Sequence, residues 1–129
     1  MSSYTIKNLR EDVEDQAVKH GLSPNLEARF AQRDLGSEQV GISYQRLAPD
    51  FKQPFAHHHG EQEELYVVVG GGGRMRLGDE LVELRQWDAV RVSPGTVRSL
   101  AAGPEGLEVL AIGPAGSGDA RTAPADWDD

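Results

Sequence analysis

The chain has 129 residues, enough for one compact domain with a real core and little more. It contains no cysteine, which excludes disulfides, thiolate ligands and a thiol nucleophile, and it fits a cytoplasmic protein. The formal charge of −8, with arginines scattered rather than grouped, argues against nucleic acid as a partner, because phosphate contacts need clustered Lys and Arg.

Residues 1–24 are read as a polar N-terminal arm. Ile6, Leu9 and Val13 recur at helical spacing, so the arm has the option of a short helix, with Gly21 and Pro24 ending it. The start carries no apolar run behind basic residues, so no signal peptide is read. No stretch approaches the roughly 20 apolar residues a membrane span needs.

From Asn25 the period changes to two. LEARFAQRDL and VGISYQRL read as strands, with Val40, Ile42 and Tyr44 sharing a face. Pro49 and Asp50 interrupt the pattern. QPFAHHH and the β-branched, aromatic run ELYVVV follow. Gly70 to Gly73 read as a hairpin turn, and Gly78-Asp79 as a two-residue hairpin between RMRL and ELVELR. The strand DAVRVS leads into Pro94-Gly95, which has the type II turn pattern. VRSLA, a turn at 103–106 and LEVLAI complete the series. Residues 25–113 therefore read as a barrel or sandwich of about eight short strands. Residues 114–129, rich in Gly, Pro, Ala and Asp, read as an irregular acidic tail, with Trp127 either frayed or packed back.

The segment HHHGEQEELYVVV carries the chemistry. Residues two apart on a strand share a face, so His57 and His59 point one way and His58 the other. Glu64, five residues past His59, folds back beside both rings on the next strand. Two imidazoles and a carboxylate converging on one point suit a divalent transition metal and leave coordination positions open. A bare polar loop of three histidines is the competing reading. The flanking strands and the spacing of Glu64 favour the metal site. Glu63 should face away, as a solvated or inter-strand charge.

His57-x-His59, four residues, Glu64, six residues, Gly71 resembles the first motif of the cupins, and DAVRVSPGTVRSL is similar to their second. Motifs and intervening strands span about residues 38–112. The resemblance is to small, single-domain bacterial cupins without an assigned reaction. It implies an all-β double-stranded β-helix, or jelly roll, often assembled as a homodimer. Strands apolar on both faces, such as LYVVV, fit that assembly. It also implies Fe, Mn, Zn, Ni or Cu bound by His57, His59 and Glu64, with a histidine of the second motif.

Two positions depart from the pattern. Arg98 stands where the second motif has its histidine, and Trp87 where that motif usually begins with glycine. Arginine stays protonated and is not an ordinary ligand. Either Arg98 reaches past a metal to an anionic ligand, or it pairs with Glu64 in place of the metal, or it bends to the barrel mouth. Tyr66, Tyr44 and Gln53 are further candidates for contacting a small-molecule ligand, with Gln53 also placed to orient His57. Ser93 and Ser99 show no partnered His-Asp arrangement, so a serine hydrolase is not read. The reading is therefore a protein binding a divalent metal and a small organic anion, with catalysis and catalytic residues unassigned. The alternatives are a metal-free binding or sensing module, or a barrel with a vestigial pocket.

Overall fold

A computed structural model describes residues 2–115 and 120–127; the expected arm and tail extend at 1, 116–119 and 128–129 outside the described residues. The elements in chain order are α1 (Gln16–Lys19), β1 (Leu26–Phe30), α2 (Gln32–Leu35), β2 (Val40–Leu47), β3 (Phe55–His59), β4 (Glu64–Leu77), β5 (Glu80–Leu84), β6 (Ala89–Val92), β7 (Arg98–Pro114) and β8 (Ala120–Pro124). The strands form one curled antiparallel sheet. Its path runs β1-β2-β7-β3-β8, and β4 pairs with β7, β5 and β6. No helix among the described residues is long and apolar enough to cross a membrane.

The glycine run behaves differently from the expected turn. Gly70–Gly73 lies inside β4, a strand of 14 residues, and residues 103–106 lie inside β7, a strand of 17. The two strands pair on both sides of the run, with register shifts at Val68/Gly70 and Gly71/Gly73. A Cβ at Gly71 would lie 2.0 Å from the Gly106 carbonyl oxygen, and one at Gly73 would lie 2.1 Å from that of Ala101. Glycine is needed here so that two bulged backbones can approach closely, not so that the chain can reverse. The real reversal is at Gly78-Asp79, where Leu77 pairs with Glu80 and Gly78 takes φ +62°. Gly95 takes φ +82°, as a type II turn after Pro94 requires.

The arm carries a helix, but not the one its apolar spacing indicated. Ile6 is exposed, and the single helical turn starts at Gln16. Asp15 decides this: its carboxylate accepts from the amides of both Ala17 and Ala28, capping α1 and fixing it to β1. Val13 and Ala17 are buried. The alternation of LEARFAQRDL also stops early, because the chain turns into α2 after Phe30 and leaves it through Gly36 at φ +67°.

The tail is the other difference. Ala120–Pro124 was expected to be irregular, yet it pairs with β3 from Phe55↔Pro124 to His59↔Ala120. Trp127 then donates its indole N–H to the Gln53 carbonyl, with Arg74 and Arg76 near its ring. The free edge of β3 offered backbone partners that composition does not reveal. Between the two sheet halves, Tyr66, Val68, Met75, Leu100, Leu107 and Val109 are fully buried. Each apolar side chain of that set contributes roughly 1.5–3 kcal/mol by leaving water.

Candidate metal centre

β3 and β4 carry the three residues expected to converge. His57 and His59 alternate with His58 along β3, and Glu64 opens β4. The Nε2 atom of His57 lies 3.7 Å from Glu64 Oε1, and Nε2 of His59 lies 3.7 Å from Glu64 Oε2. The two rings stand at 89° with centroids 5.3 Å apart. One ligand atom from each of the three residues lies within 4.8 Å of the others.

These distances are too long for hydrogen bonds and slightly wider than the spacing around a bound ion. Ligands about 2.1 Å from a shared metal sit about 3–3.5 Å apart. Small rotations close the difference. Glu64 Oε1 is also buried without a hydrogen-bond partner. A buried carboxylate oxygen left in that state is costly: the Arg98 guanidinium stands 3.6 Å away, beyond hydrogen-bond reach, and a bound metal would supply the close partner it lacks. Burial would raise the Glu64 pKa. The His57 ring, the Tyr66 hydroxyl and the Arg98 guanidinium outweigh it and hold the carboxyl below its usual range, so it is ionised at neutral pH. The donor set therefore fits a divalent metal.

Tyr66 is buried on the same wall, and its hydroxyl lies 3.3 Å from His57 Nε2. Burial first, and then the Glu64 charge, push its pKa well above the ordinary value, so it remains a phenol. Arg98 pairs with His57 across the β3–β7 ladder, and directly opposed residues share a face. It is 1% exposed. Its Nη1 donates to the Thr96 carbonyl, while Nη2 lies 3.6 Å from Glu64 Oε1. Neither Nε nor Nη2 has a hydrogen-bond partner.

A cavity of about 360 Å³ opens from this cluster. Its walls include Leu26, Ala28, Phe30, Ile42, Phe55 and Ala111, with His57, His59, Glu64 and Tyr66 at one end. Arg98 does not line it, so the expected direct reach past a metal to an anion is not what the structure has. The guanidinium lies behind Glu64, held by the Thr96 carbonyl. Gln53 does line the cavity, but its amide serves the backbone: Oε1 accepts from the Leu100 amide and Nε2 donates to Gln45. The expected bond to His57 is replaced by this tie.

Tyr44 requires correction. It is buried away from the cavity, its hydroxyl donates to Glu108, and the Arg10 guanidinium lies 5.6 Å from its ring centre. The N-terminal arm covers the Tyr44 ring, and β2 lines the cavity with Ile42, Ser43 and Gln45 instead. Glu63 stands at the rim, 3.2 Å from Arg91. Gln62 and Thr122 also line the cavity and were missed. Gln62 offered only a polar loop position, and Thr122 sits in a tail without a periodic signal.

No family model matches the sequence, and no curated protein matches it. Solved structures do. A cupin protein from Bacteroides fragilis aligns with TM-score 0.72 at 21% identity, over 92% of this chain and 89% of that one. The polyketide cyclase RemF from Streptomyces resistomycificus aligns with TM-score 0.74 at 20% identity, over 96% and 89%. The chain has the cupin fold. Oxalate decarboxylase from Bacillus subtilis, a protein with Mn(II) centres, aligns with TM-score 0.66 at 23% identity, over 88% of this chain but 31% of that one. Within this fold the His57–His59–Glu64 cluster occupies one end of the cavity.

Proposed function

We propose that this cupin binds a divalent transition metal through His57, His59 and Glu64 and takes a small organic anion into the adjoining cavity. The observation that carries the reading is the convergence of three ligand atoms within 4.8 Å around a buried carboxylate oxygen that has no hydrogen-bond donor. A neighbour of the same fold has Mn(II) centres, which supports the metal without naming it for this chain.

Each residue then has a defined task. The imidazoles supply neutral nitrogen donors and Glu64 the balancing charge. Tyr66, kept protonated by burial, holds a proton at its hydroxyl beside the His57 ring. The apolar walls exclude water from the ligand's body. A bound divalent metal would supply Lewis-acid polarisation of a ligand oxygen.

A metal-free binding module remains the second reading, and one observation favours it: Arg98 already stands 3.6 Å from Glu64. Elemental analysis after incubation with Fe, Mn, Zn, Ni or Cu separates the two. The first reading expects about one metal per chain in the wild type and its loss in His57→Ala and His59→Ala, with β-sheet circular dichroism retained. His58→Ala should keep the metal. Wild-type protein that takes up none of the five metals refutes the first reading, and metal loss in His58→Ala refutes the ligand assignment.

A further inference from the structure

The cavity also bears on what kind of molecule it takes, an inference that rests on the metal reading above. Two observations set opposite requirements for the two ends of a ligand.

The first is the charge at the metal end. With both imidazoles neutral, as ligation requires, the cluster has one carboxylate and one guanidinium. Arg98 is buried and 3.6 Å from Glu64, so it cancels the only acid there. Addition of a dication leaves two uncompensated positive charges in a partly buried site. Such an excess is met by an anionic donor. A histidine at position 98 would have left one positive charge rather than two.

The second is the lining beyond the metal end. Leu26, Ala28, Phe30, Ile42, Phe55 and Ala111 supply much of the apolar wall, and the polar groups between them are mainly neutral: the amides of Gln32, Gln45, Gln53 and Gln62 and the hydroxyls of Ser43 and Thr122. No Lys or Arg lines the cavity among the described residues. The outer acid, Glu63, faces Arg91 at the rim. A second negative charge on the ligand would meet no cation there and would lose its hydration uncompensated. The volume of about 360 Å³ is within the range of roughly 300–1,000 Å³ typical of small-molecule sites, larger than a two-carbon acid needs.

We infer that the ligand is an amphipathic monoanion: one ionised oxygen head at the metal, and an uncharged, mainly apolar body against β1, β2 and Phe55. Neutral amides, and dianions whose second charge lies in the body rather than at the metal, are poor ligands for this site.

The test uses zinc-loaded protein, with its metal content measured in the same sample, and four probes that vary charge and body separately. Benzoate has both features, acetate only the charge, benzamide only the ring, and terephthalate adds a second charge at the far end of the body. Calorimetric titration should show benzoate binding at least about tenfold tighter than each of the other three, as burial of a ring and pairing of one charge predict. Ala28→Phe, which fills the apolar wall, should remove the advantage of benzoate over acetate at unchanged metal content. Phe30→Ala, at a wall position that is 55% exposed, should reduce it several-fold. Loaded protein that binds acetate, benzamide or terephthalate as tightly as benzoate overturns the inference alone. Protein that takes no zinc or other metal overturns both the inference and the reading beneath it.

Discussion

Glu27 offers a quantitative test of how the cavity wall is held. Its carboxylate is 4% exposed and accepts from Arg10 Nε and Nη2, Arg29 Nε and Arg46 Nε at 2.6–3.0 Å. Burial alone would raise its pKa, but the three guanidiniums bring it from the ordinary 4.5 down to about 2. At about 1.4 kcal/mol per pH unit, the depression corresponds to about 3 kcal/mol of folding stability. Arg10 is 57% exposed on its side chain, so solvent screening reduces this to about 2–3 kcal/mol. The sign follows from the direction: a depressed carboxylate contributes fully above pH 4.5 and loses its contribution as the pH falls towards 2. In Glu27→Gln this titration is absent and three cations face one another unpaired. Urea unfolding followed by circular dichroism should show the variant about 2–3 kcal/mol less stable at pH 7. The gap should shrink to less than half by pH 3. A gap that is below about 1 kcal/mol at pH 7, or that stays constant with pH, refutes the argument. The effect reaches the site because Leu26, Ala28 and Phe30 of the same strand wall the cavity.

Arg98→His should bind metal more tightly, since it replaces a buried cation with an imidazole opposite His57; chelator competition that shows unchanged affinity would place position 98 outside the metal's reach. Gly73→Ala should cost about 3 kcal/mol or abolish soluble folding, because its Cβ would lie 2.1 Å from a backbone carbonyl, and denaturant titration reads this directly. Trp87 takes φ +74° and is 70% exposed, so Trp87→Gly relieves backbone strain of roughly 1–2 kcal/mol, partly offset by glycine's freedom in the unfolded chain. Its melting temperature should rise by about 2–5 °C; a fall would mean that the indole is holding something in place.

The metal cluster was readable because strand alternation is a local property. Once FAHHH and ELYVVV are strands, the parity of His57, His59 and Glu64 follows; the place of Arg98 opposite His57 is a register between β3 and β7 that neither pattern contains. Alternation fixes which residues share a face, but not which face is inside. Tyr44 shows the difference: the arm, through Arg10, covers its ring, so the cavity is lined along β2 by Ile42, Ser43 and Gln45 and not by Tyr44. Gly70–Gly73 shows a second limit. A glycine permits a turn and permits close packing, and only the partner strand, 30 residues further on, decides between them. The strand at Ala120–Pro124 depends wholly on an edge supplied by β3, so nothing in its own composition announces it.

The last strand also has a practical meaning. β3 joins β7 through the single pair His57↔Arg98 among the described residues, whereas five pairs join it to β8. The two histidine donors are thus fastened chiefly by the C-terminal strand, like a hem sewn by its final stitches. Material in which Ala120–Pro124 is displaced from β3 would be loosened at that seam before the rest of the sheet was touched. Metal occupancy measured on such material would report the state of the seam as well as the strength of the ligands.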